Sequence, residues 1–198
     1  MFQSWFGKHA RTWRCRRIRN QVERGVVPEG LTVEDLLKIL QKTKPPNRLE
    51  VWGMLEANVC YANGYCKSLG LVSVQKVTTA FANYVVDSLQ NSTTAPLDVF
   101  KYHGSGTGSN AEANSQTGLI TEVETRATGN QAEGSSTNIY KTIGTVTYTA
   151  NRSIAEHGLF SANANGTLLD RSLLANAVAV ENNDQIEWTY QLTVSAEA

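Results

Sequence analysis

The residues whose types could support catalysis or ligand binding are few, and they fall in two stretches. KYHGSGTGSNAEA, residues 101–113, contains one histidine and three glycines spaced G-x-G-x-G. EHGLFSANANGTLLDRS, residues 156–172, contains Glu156, His157 and Asp170. Glycine-rich loops can bind phosphate, and histidines with a carboxylate can ligate a metal ion. Each kind of site therefore has to be weighed against a structural role.

The glycine stretch does not match a nucleotide-binding motif. The spacing of Gly104, Gly106 and Gly108 differs from the G-x-G-x-x-G of dinucleotide sites and lacks the Gly-Lys-Ser/Thr of a P-loop. The segments that follow read as strands, whereas both motifs require a helix there. We therefore expect these glycines to permit positive φ in a wide turn between strands, with no cofactor bound.

A metal site formed by His103, His157 and a carboxylate is conceivable but disfavoured. Glu156 and His157 are adjacent, so on a strand their side chains point to opposite faces. We expect each histidine to be hydrogen-bonded at a strand end. The chain contains no G-x-S-x-G motif, and no spacing nominates a partner for a nucleophilic serine. The sequence thus predicts no metal, no cofactor and no catalytic residue.

Charged residues elsewhere also favour structural roles. Glu122 and Glu124 share one face of a predicted strand, as a glycosidase pair could. Arg126 on the same face favours a surface charge ladder instead. Asp170 and Arg171 interrupt the apolar TLLDRSLL segment, and with Glu156 nearby they suggest cross-strand or inter-subunit ion pairing. An exposed edge strand protected by charge is the alternative.

These residues lie in a chain that reads as helices first and strands afterwards. A helix is predicted over Leu31–Gln41, with Thr32 as its cap, and another over Thr78–Leu89. Residues 49–59 fit either a helix or a strand, and Asn63-Gly64 suggests a hairpin just beyond them. From Pro96 onward the pattern is β, with segments at 97–102, 118–126, 138–149, 153–161, 167–174, 177–180 and 185–195. In the last segment, alternate residues are apolar: Ile186, Trp188, Tyr190, Leu192 and Val194.

The predicted class is mainly β with N-terminal helices (α+β), built on an antiparallel β-sandwich or jelly-roll-like body. With 41% hydrophobic residues, the 198-residue chain can bury a core. We divide it into a basic arm (1–30), a helical docking region (31–95) and a β-sandwich body (96–198). Residues 1–24 contain seven basic side chains and one acidic one, whereas residues 76–198 contain six and twelve. The expected partner-docking residues of the arm are Trp5, Phe6, Arg11, Trp13, Arg14, Arg16 and Arg17.

Cysteine content and hydropathy limit the cellular setting. Cys15, Cys60 and Cys66 are an odd number, which favours free thiols and synthesis in a reducing compartment. Pairing of Cys60 with Cys66 across a hairpin at Asn63-Gly64 is the alternative. No apolar run approaches the roughly 20 residues of a membrane span, and no secretory signal is recognisable. We expect no membrane partner.

The two stretches, with RATGNQ and the closing WTYQLTVS, resemble a group of structural proteins of tailed bacteriophages. The resemblance covers roughly the last 120 residues. It implies a virion β-sandwich in which the matching residues are scaffold positions. These are Gly104, Gly106, Gly108, Glu122, Glu156, Gly158, Leu159, Phe160, Leu169 and Arg171, with Asp170 beside them.

The same resemblance implies a function without catalysis. We expect a capsid decoration or cement protein, made in the bacterial host cytoplasm and located on the virion. Its partner would be the major capsid protein or another virion protein, and a homo-oligomer, above all a trimer, is expected. A tail fibre, baseplate or adaptor component is the alternative, although the end of the chain at Ala198 favours a compact decoration protein. A carbohydrate-binding protein is a further alternative, and nucleic acid is a disfavoured partner of the arm.

Overall fold

The computed structural model describes residues 32, 35, 50–75 and 77–195, and these residues form a mainly β fold with two antiparallel sheets. The strands in this part of the chain are β1 (Glu50–Cys60), β2 (Cys66–Gln75), β3 (Tyr102–Gly106), β4 (Glu122–Thr128), β5 (Asn130–Glu133), β6 (Ile139–Thr147), β7 (Arg152–Phe160), β8 (Leu168–Val180) and β9 (Gln185–Ser195). One sheet has the order β2-β1-β9-β6-β5 and the other β4-β3-β7-β8. Helix α1 (Thr79–Gln90) and a short 3-10 turn (Leu97–Val99) connect β2 to β3.

Strands β1 and β2 form a hairpin that ends in a disulfide bond. Gly64 in the turn has a φ of 84°, a conformation that glycine adopts at no steric cost. The antiparallel register places Cys60 opposite Cys66, with their Cα atoms 4.1 Å apart, and the two sulfur atoms are bonded. The expectation of free thiols is therefore wrong for this pair. The expected synthesis in a reducing compartment rested on free thiols and is therefore no longer supported.

The predicted helical docking region over 31–95 is wrong for residues 50–75. Strand β1 pairs with β9 along its whole length, from Glu50 opposite Ser195 to Cys60 opposite Gln185. The hairpin thus belongs to the same sheet as the closing strand. A body that begins at residue 96 would lack two strands of the five-stranded sheet.

The helix predicted over Thr78–Leu89 is confirmed as α1, and each of its ends differs from the prediction by one residue. Thr78 caps it, because its Oγ1 accepts a hydrogen bond from the Phe81 backbone N–H at 3.1 Å. The same hydroxyl donates to the Leu168 carbonyl at 2.6 Å, which ties the start of the helix to β8. In the predicted helix over 31–41, the structure describes two residues. Thr32 Oγ1 accepts from the N–H of Asp35, which is helical, as a capping interaction requires.

The core lies between the two sheets, and the closing strand points its apolar residues into it. Ile186, Trp188 and Tyr190 are fully buried. Trp188 Nε1 donates to Ser105 Oγ on β3 at 3.1 Å, so this face of β9 meets the four-stranded sheet. The predicted alternation of β9 is therefore confirmed from Ile186 to Leu192, but it is wrong at Val194, whose side chain is 39% exposed.

Other strand predictions need correction. The segment predicted over 97–102 is instead the 3-10 turn followed by β3, which starts at Tyr102. The segments predicted over 167–174 and 177–180 are one strand, β8. Among the described residues, no helix is long and apolar enough to cross a membrane.

Candidate functional site

The densest group of polar contacts surrounds the carboxylate of Glu156, which is fully buried in β7. Its Oε1 accepts hydrogen bonds from the backbone N–H groups of Gly108 at 3.0 Å and Thr121 at 2.8 Å. Its Oε2 accepts from the N–H of Ile120 at 3.1 Å and from Arg171 Nε at 2.6 Å. Three amides and a guanidinium therefore compensate a charge that burial alone would make very costly.

Arg171 on β8 extends this network to the segment between β3 and β4. Its Nη1 donates to the Asn110 carbonyl at 3.0 Å and to Gln116 Oε1 at 3.2 Å. Glu112, in the same segment, accepts a hydrogen bond from the Leu173 backbone N–H on β8. Residues 107–121 are thus anchored against the four-stranded sheet, on the face that points away from the core. The expected cross-strand ion pairing of Arg171 is confirmed, and the exposed-edge alternative is wrong because Asp170 and Arg171 are buried.

The three glycines of the first stretch are needed for space, not for positive φ. Gly104 and Gly106 lie within β3, and Gly108 follows it. A Cβ on Gly106 would lie 2.4 Å from Glu156 Oε1, and one on Gly108 would lie 2.6 Å from the same atom. The predicted wide turn with positive φ is therefore wrong, since positive-φ glycines in the described residues are Gly64, Gly70 and Gly166.

Glycine also lets an aromatic ring and a guanidinium stack on this face. A Cβ on Gly104 or Gly158 would lie 3.1 Å or 2.8 Å from the Phe160 ring. On that ring rests Arg126, whose guanidinium carbon is 3.3 Å from the ring centroid, a cation–π contact. Most of the scaffold positions named from the sequence thus meet on one face of one sheet: Gly104, Gly106, Gly108, Glu122, Glu156, Gly158, Phe160 and Arg171. Leu159 and Leu169 instead belong to the core, and Asp170 points into it.

We predict that Gly106→Ala lowers the free energy of unfolding by about 1–3 kcal/mol, as overpacking does. The added methyl group would clash with both the Glu156 side chain and the Thr121 carbonyl oxygen, which would lie 2.7 Å away, so both must shift. Gly118→Ala is the matched control, because its Cβ meets no atom within 4 Å. Urea denaturation of both variants measures the difference. Equal, small losses would show that Glu156 does not need this glycine.

Behind Glu156, on the opposite face of β7, two histidines form a buried pair. His103 Nδ1 lies 3.0 Å from His157 Nε2, and His103 Nε2 lies 3.3 Å from Thr142 Oγ1 on β6. The His157 ring stacks obliquely on Trp188, with centroids 4.9 Å apart. Burial lowers the pKa of His103 to about 3. Burial, and then the charge of His103, lower the pKa of His157 well below its usual value.

This histidine pair differs from the expectation of histidines at strand ends. The adjacent residues 156 and 157 do point to opposite faces, as predicted, so Glu156 does not approach the pair. What the sequence missed is that His103 and His157 meet, because β3 and β7 are neighbours in the sheet. No local spacing signals a contact between residues 54 positions apart.

Two further polar groups are satisfied inside the core. Ser105 Oγ accepts from both Tyr148 Oη at 2.9 Å and Trp188 Nε1 at 3.1 Å, so this serine is held as an acceptor. Asp170 accepts from Tyr190 Oη at 3.0 Å. Burial raises the pKa of Asp170 to about 7, against the lowering effect of its hydrogen bonds. Neither group reaches solvent, so neither can meet a substrate in this conformation.

An open, polar cleft of about 720 Å³ lies beside Arg126. Its lining residues include Glu122, Glu124 and Asn165. Glu122 receives two hydrogen bonds from Arg126, at 2.5 and 2.9 Å. Glu124 has a φ of 61° and instead accepts from Thr149 Oγ1 at 2.9 Å. The predicted charge ladder is therefore confirmed for Glu122 and Arg126. It is wrong for Glu124, whose positive φ directs its side chain to Thr149 and not to Arg126.

The remaining predicted sites divide between the part of the chain that the structure describes and the part outside it. The docking residues Trp5, Phe6, Arg11, Trp13, Arg14, Arg16 and Arg17 lie outside the described residues. Within residues 50–75 and 77–195, no group of three histidine, cysteine or acidic side chains is placed to hold a metal ion. No model of a known protein family matches the chain, and no curated protein sequence matches it either.

Proposed function

We propose that the chain is a non-enzymatic structural protein of a tailed-phage virion, most specifically a capsid decoration protein that bridges capsid subunits. Its two sheets, whose facing side chains meet in one core, fit a β-sandwich of the jelly-roll-like kind. The proposal rests on the resemblance carried by the two polar stretches and on the way the fold uses those stretches.

The observation that carries the proposal is the use of the Glu156–Arg171 pair. Two stretches separated by more than forty residues meet at this pair. The hydrogen bonds of Glu156 and Arg171 to Gly108, Thr121 and Asn110 fix residues 107–121 on the sheet. An active site keeps a reactive group accessible to substrate. Here the buried carboxylates of Glu156 and Asp170 and the buried imidazoles of His103 and His157 form hydrogen bonds within the protein. Such groups favour a structural role over catalysis.

Two surfaces are available for assembly under this proposal. One is the basic arm, whose tryptophans and arginines are typical interface anchors. The other is the solvent-facing side of α1, where Leu89 is 82% and Val86 53% exposed one turn apart, with Leu97 45% exposed in the nearby 3-10 turn. Exposed apolar side chains that share one helix face favour a protein partner. Repeated weak contacts by a trimer would gain strength through multivalency.

The carbohydrate-binding alternative requires exposed aromatic side chains, and the two that it relied on are buried. Trp188 and Tyr190, the aromatics of the closing strand, have no exposed surface. The cleft at Glu122 and Glu124 is polar and could contact hydroxyl groups, but Phe160 beneath it is buried under Arg126. A sugar ring would find no aromatic face there to stack on. We therefore rank this alternative below a structural role.

The test is the position and copy number of the protein in purified particles of the phage that encodes it. Quantitative mass spectrometry against the major capsid protein should give on the order of hundreds of copies for a decoration protein. A count of about six to eighteen would place it in the tail. Absence from particles, or saturable glycan binding by the isolated protein, would contradict the proposal. Rebinding to stripped capsids should weaken when residues 1–24 are deleted.

A further inference from the structure

The chain contains two Asn-Gly pairs, Asn63-Gly64 and Asn165-Gly166, and both are exposed in the structure. Asparagine is thermolabile, because the backbone nitrogen that follows it can attack its side-chain carbonyl carbon. Glycine in the following position leaves that approach open, since it has no side chain. The two pairs have the same composition, so their surroundings decide how fast each of them reacts.

The first pair, Asn63-Gly64, is held in an unreactive arrangement. The Gly64 N–H donates to the Tyr61 carbonyl at 2.9 Å, and Asn63 Oδ1 accepts from the Tyr65 N–H at 2.9 Å. The disulfide between β1 and β2 closes the hairpin directly behind this turn. Both groups that must react are therefore hydrogen-bonded, and these bonds have to break first.

The second pair, Asn165-Gly166, lies in the loop between β7 and β8, whose ends are joined by hydrogen bonds. The Ser161 N–H donates to the Thr167 carbonyl at 3.0 Å, and the Thr167 N–H donates to Ser161 Oγ at 2.8 Å. Asn165 and Gly166 have φ values of 55° and 75°, a left-handed conformation that these residue types tolerate. Within the part of the chain that the structure describes, neither the Gly166 N–H nor the Asn165 side-chain amide forms a hydrogen bond. Both reacting groups are therefore available.

The backbone carbonyl of Asn165 is in contact with a cation. Arg126 Nη1 donates a hydrogen bond to its oxygen at 2.6 Å. The Arg126 side chain is 8% exposed and is fixed between Phe160 and Glu122, so water competes little for this contact. When the Gly166 nitrogen loses its proton, negative charge develops on the oxygen of the same peptide group, which is this carbonyl oxygen. A guanidinium that is already in place stabilises that charge.

We propose that Asn165 is a site of self-modification, at which the chain converts this asparagine to aspartate and isoaspartate and Arg126 activates the Gly166 nitrogen. The deprotonated nitrogen forms a bond to Asn165 Cγ, and the bond from Cγ to Nδ2 breaks, which gives a cyclic imide. Water carries the proton from the attacking nitrogen to the departing one, which leaves as ammonia. A second water molecule then opens the imide. Attack at Cγ gives aspartate and attack at the backbone carbonyl carbon gives isoaspartate, with no change of oxidation state.

The conversion changes the cleft beside Arg126, because Asn165 is one of its lining residues. A neutral amide is replaced by a carboxylate close to Glu122 and Glu124, which makes the cleft more acidic. In isoaspartate, the carbonyl that Arg126 contacts becomes the new carboxylate, and the backbone gains a methylene group. This surface therefore changes with the age of the protein and without an enzyme. The inference does not depend on the virion proposal.

The test follows the intact chain by peptide mapping during incubation at neutral and mildly alkaline pH. Heavy-oxygen water labels each newly formed carboxylate, and isoaspartyl methyltransferase measures the isoaspartate. Asn165 should be converted about tenfold or more faster than Asn63, because hydrogen bonds must break at Asn63 alone. In urea, where the fold is lost, the two rates should differ by less than about threefold. Conversion of Asn165 no faster than that of Asn63 in the folded chain would overturn the proposal, as would an equally large difference in urea.

Arg126→Gln distinguishes activation from simple support of the loop. Loss of the cation should slow the conversion of Asn165 about fivefold or more and leave Asn63 unchanged, because a charged donor binds the developing anion more strongly than a neutral one. Arg152→Gln is the matched control, since Arg152 is exposed on β7, and it should change neither rate. If Arg126 only held the loop in place, its removal would loosen the loop and speed up the conversion. An unchanged or raised rate at Asn165 would therefore contradict the assignment. The rate at Asn63 in the same sample shows whether the variant is folded, because it rises to the urea value on unfolding.

Discussion

Replacing Arg171 with methionine should lower the free energy of unfolding by about 3–5 kcal/mol, because it leaves a buried carboxylate without its charged partner. The side chains of Arg171 and Glu156 are 2% and 0% exposed, so water cannot take over the lost interaction. Glu156→Gln should cost a similar amount, since it leaves the guanidinium uncompensated. Urea denaturation of the single variants and of the double variant measures the coupling between the two residues.

The pair formed by Glu122 and Arg126 is the matched control. It has the same residue types and an equally short contact of 2.5 Å, but the Glu122 side chain is 31% exposed. Glu122→Gln should therefore cost no more than about 1 kcal/mol. Proteolysis gives an independent readout, because loss of the Glu156 anchor should expose residues 107–121 to cleavage while the control variant stays resistant. Equal costs for the two pairs would show that burial does not decide their strength.

Predictions that depended on local pattern succeeded. Strand β9 was found with its bounds and its buried face, because one face is apolar and the other is polar, which produces a clean alternation. Helix α1 was found, because its apolar residues recur at helical spacing, although the prediction began it at Thr78, which is in fact its cap. In both elements one side packs on the core and the other does not.

The hairpin turn at Asn63-Gly64 was suggested by the sequence, but residues 49–59 stayed open between helix and strand because β1 lacks that contrast. Its outward residues Trp52 and Met54 are as buried as its inward residue Leu55, so the sequence shows no alternation. A strand buried on both faces cannot be distinguished from a short helix by periodicity. The disulfide was ranked below free thiols for the same reason, since the spacing of Cys60 and Cys66 becomes informative only once the strands are known to pair.

Strand β3 was missed because its residues violate strand propensity for a tertiary reason. Glycine is depleted in strands, yet Gly104 and Gly106 are required by the side chains of Phe160 and Glu156 packed against them. The ion pair of Glu156 was anticipated because β7 and β8 are consecutive. The pairing of His103 with His157 was not, because it depends on which strand lies beside β3, and nothing in the local sequence specifies that.

The histidine pair gives the second large effect, a loss of stability in acid. The folded pKa of His103 is about 3 and the usual value is 6.5, so between these values the unfolded state binds a proton that the folded state does not. The contribution of His103 to stability therefore falls as the pH falls from about 6.5 towards 3. Each unit of pKa difference corresponds to about 1.4 kcal/mol, which makes His103 alone responsible for roughly 5 kcal/mol by pH 3.

Two carboxyl groups act in the opposite direction over part of this range. The pKa of Asp170 is about 7 in the folded state and that of Glu112 is also about 7, each raised mainly by burial. Between about pH 4 and pH 7 the folded state holds protons that the unfolded state has released, so stability rises on acidification. The protons bound by these two carboxyl groups offset part of the loss of stability caused by the histidines down to about pH 4, and below that pH, of these four groups, only the histidines still lower stability.

His103→Gln exposes this balance, because it removes one titrating imidazole and retains groups that can hydrogen-bond to His157 and Thr142. Relative to the unaltered protein, the slope of stability against pH between about 4.5 and 6 should decrease by about 1.4 kcal/mol per pH unit. Asp170→Asn should shift the slope by a similar amount in the opposite direction. Urea denaturation at four or five pH values measures both slopes. Parallel curves for all three proteins would mean that neither buried group changes its pKa on folding, and that the pair at 3.0 Å is open to water. A steeper loss in His103→Gln would mean that the imidazole is held as a cation, which would require an acidic partner that the described residues around it do not provide.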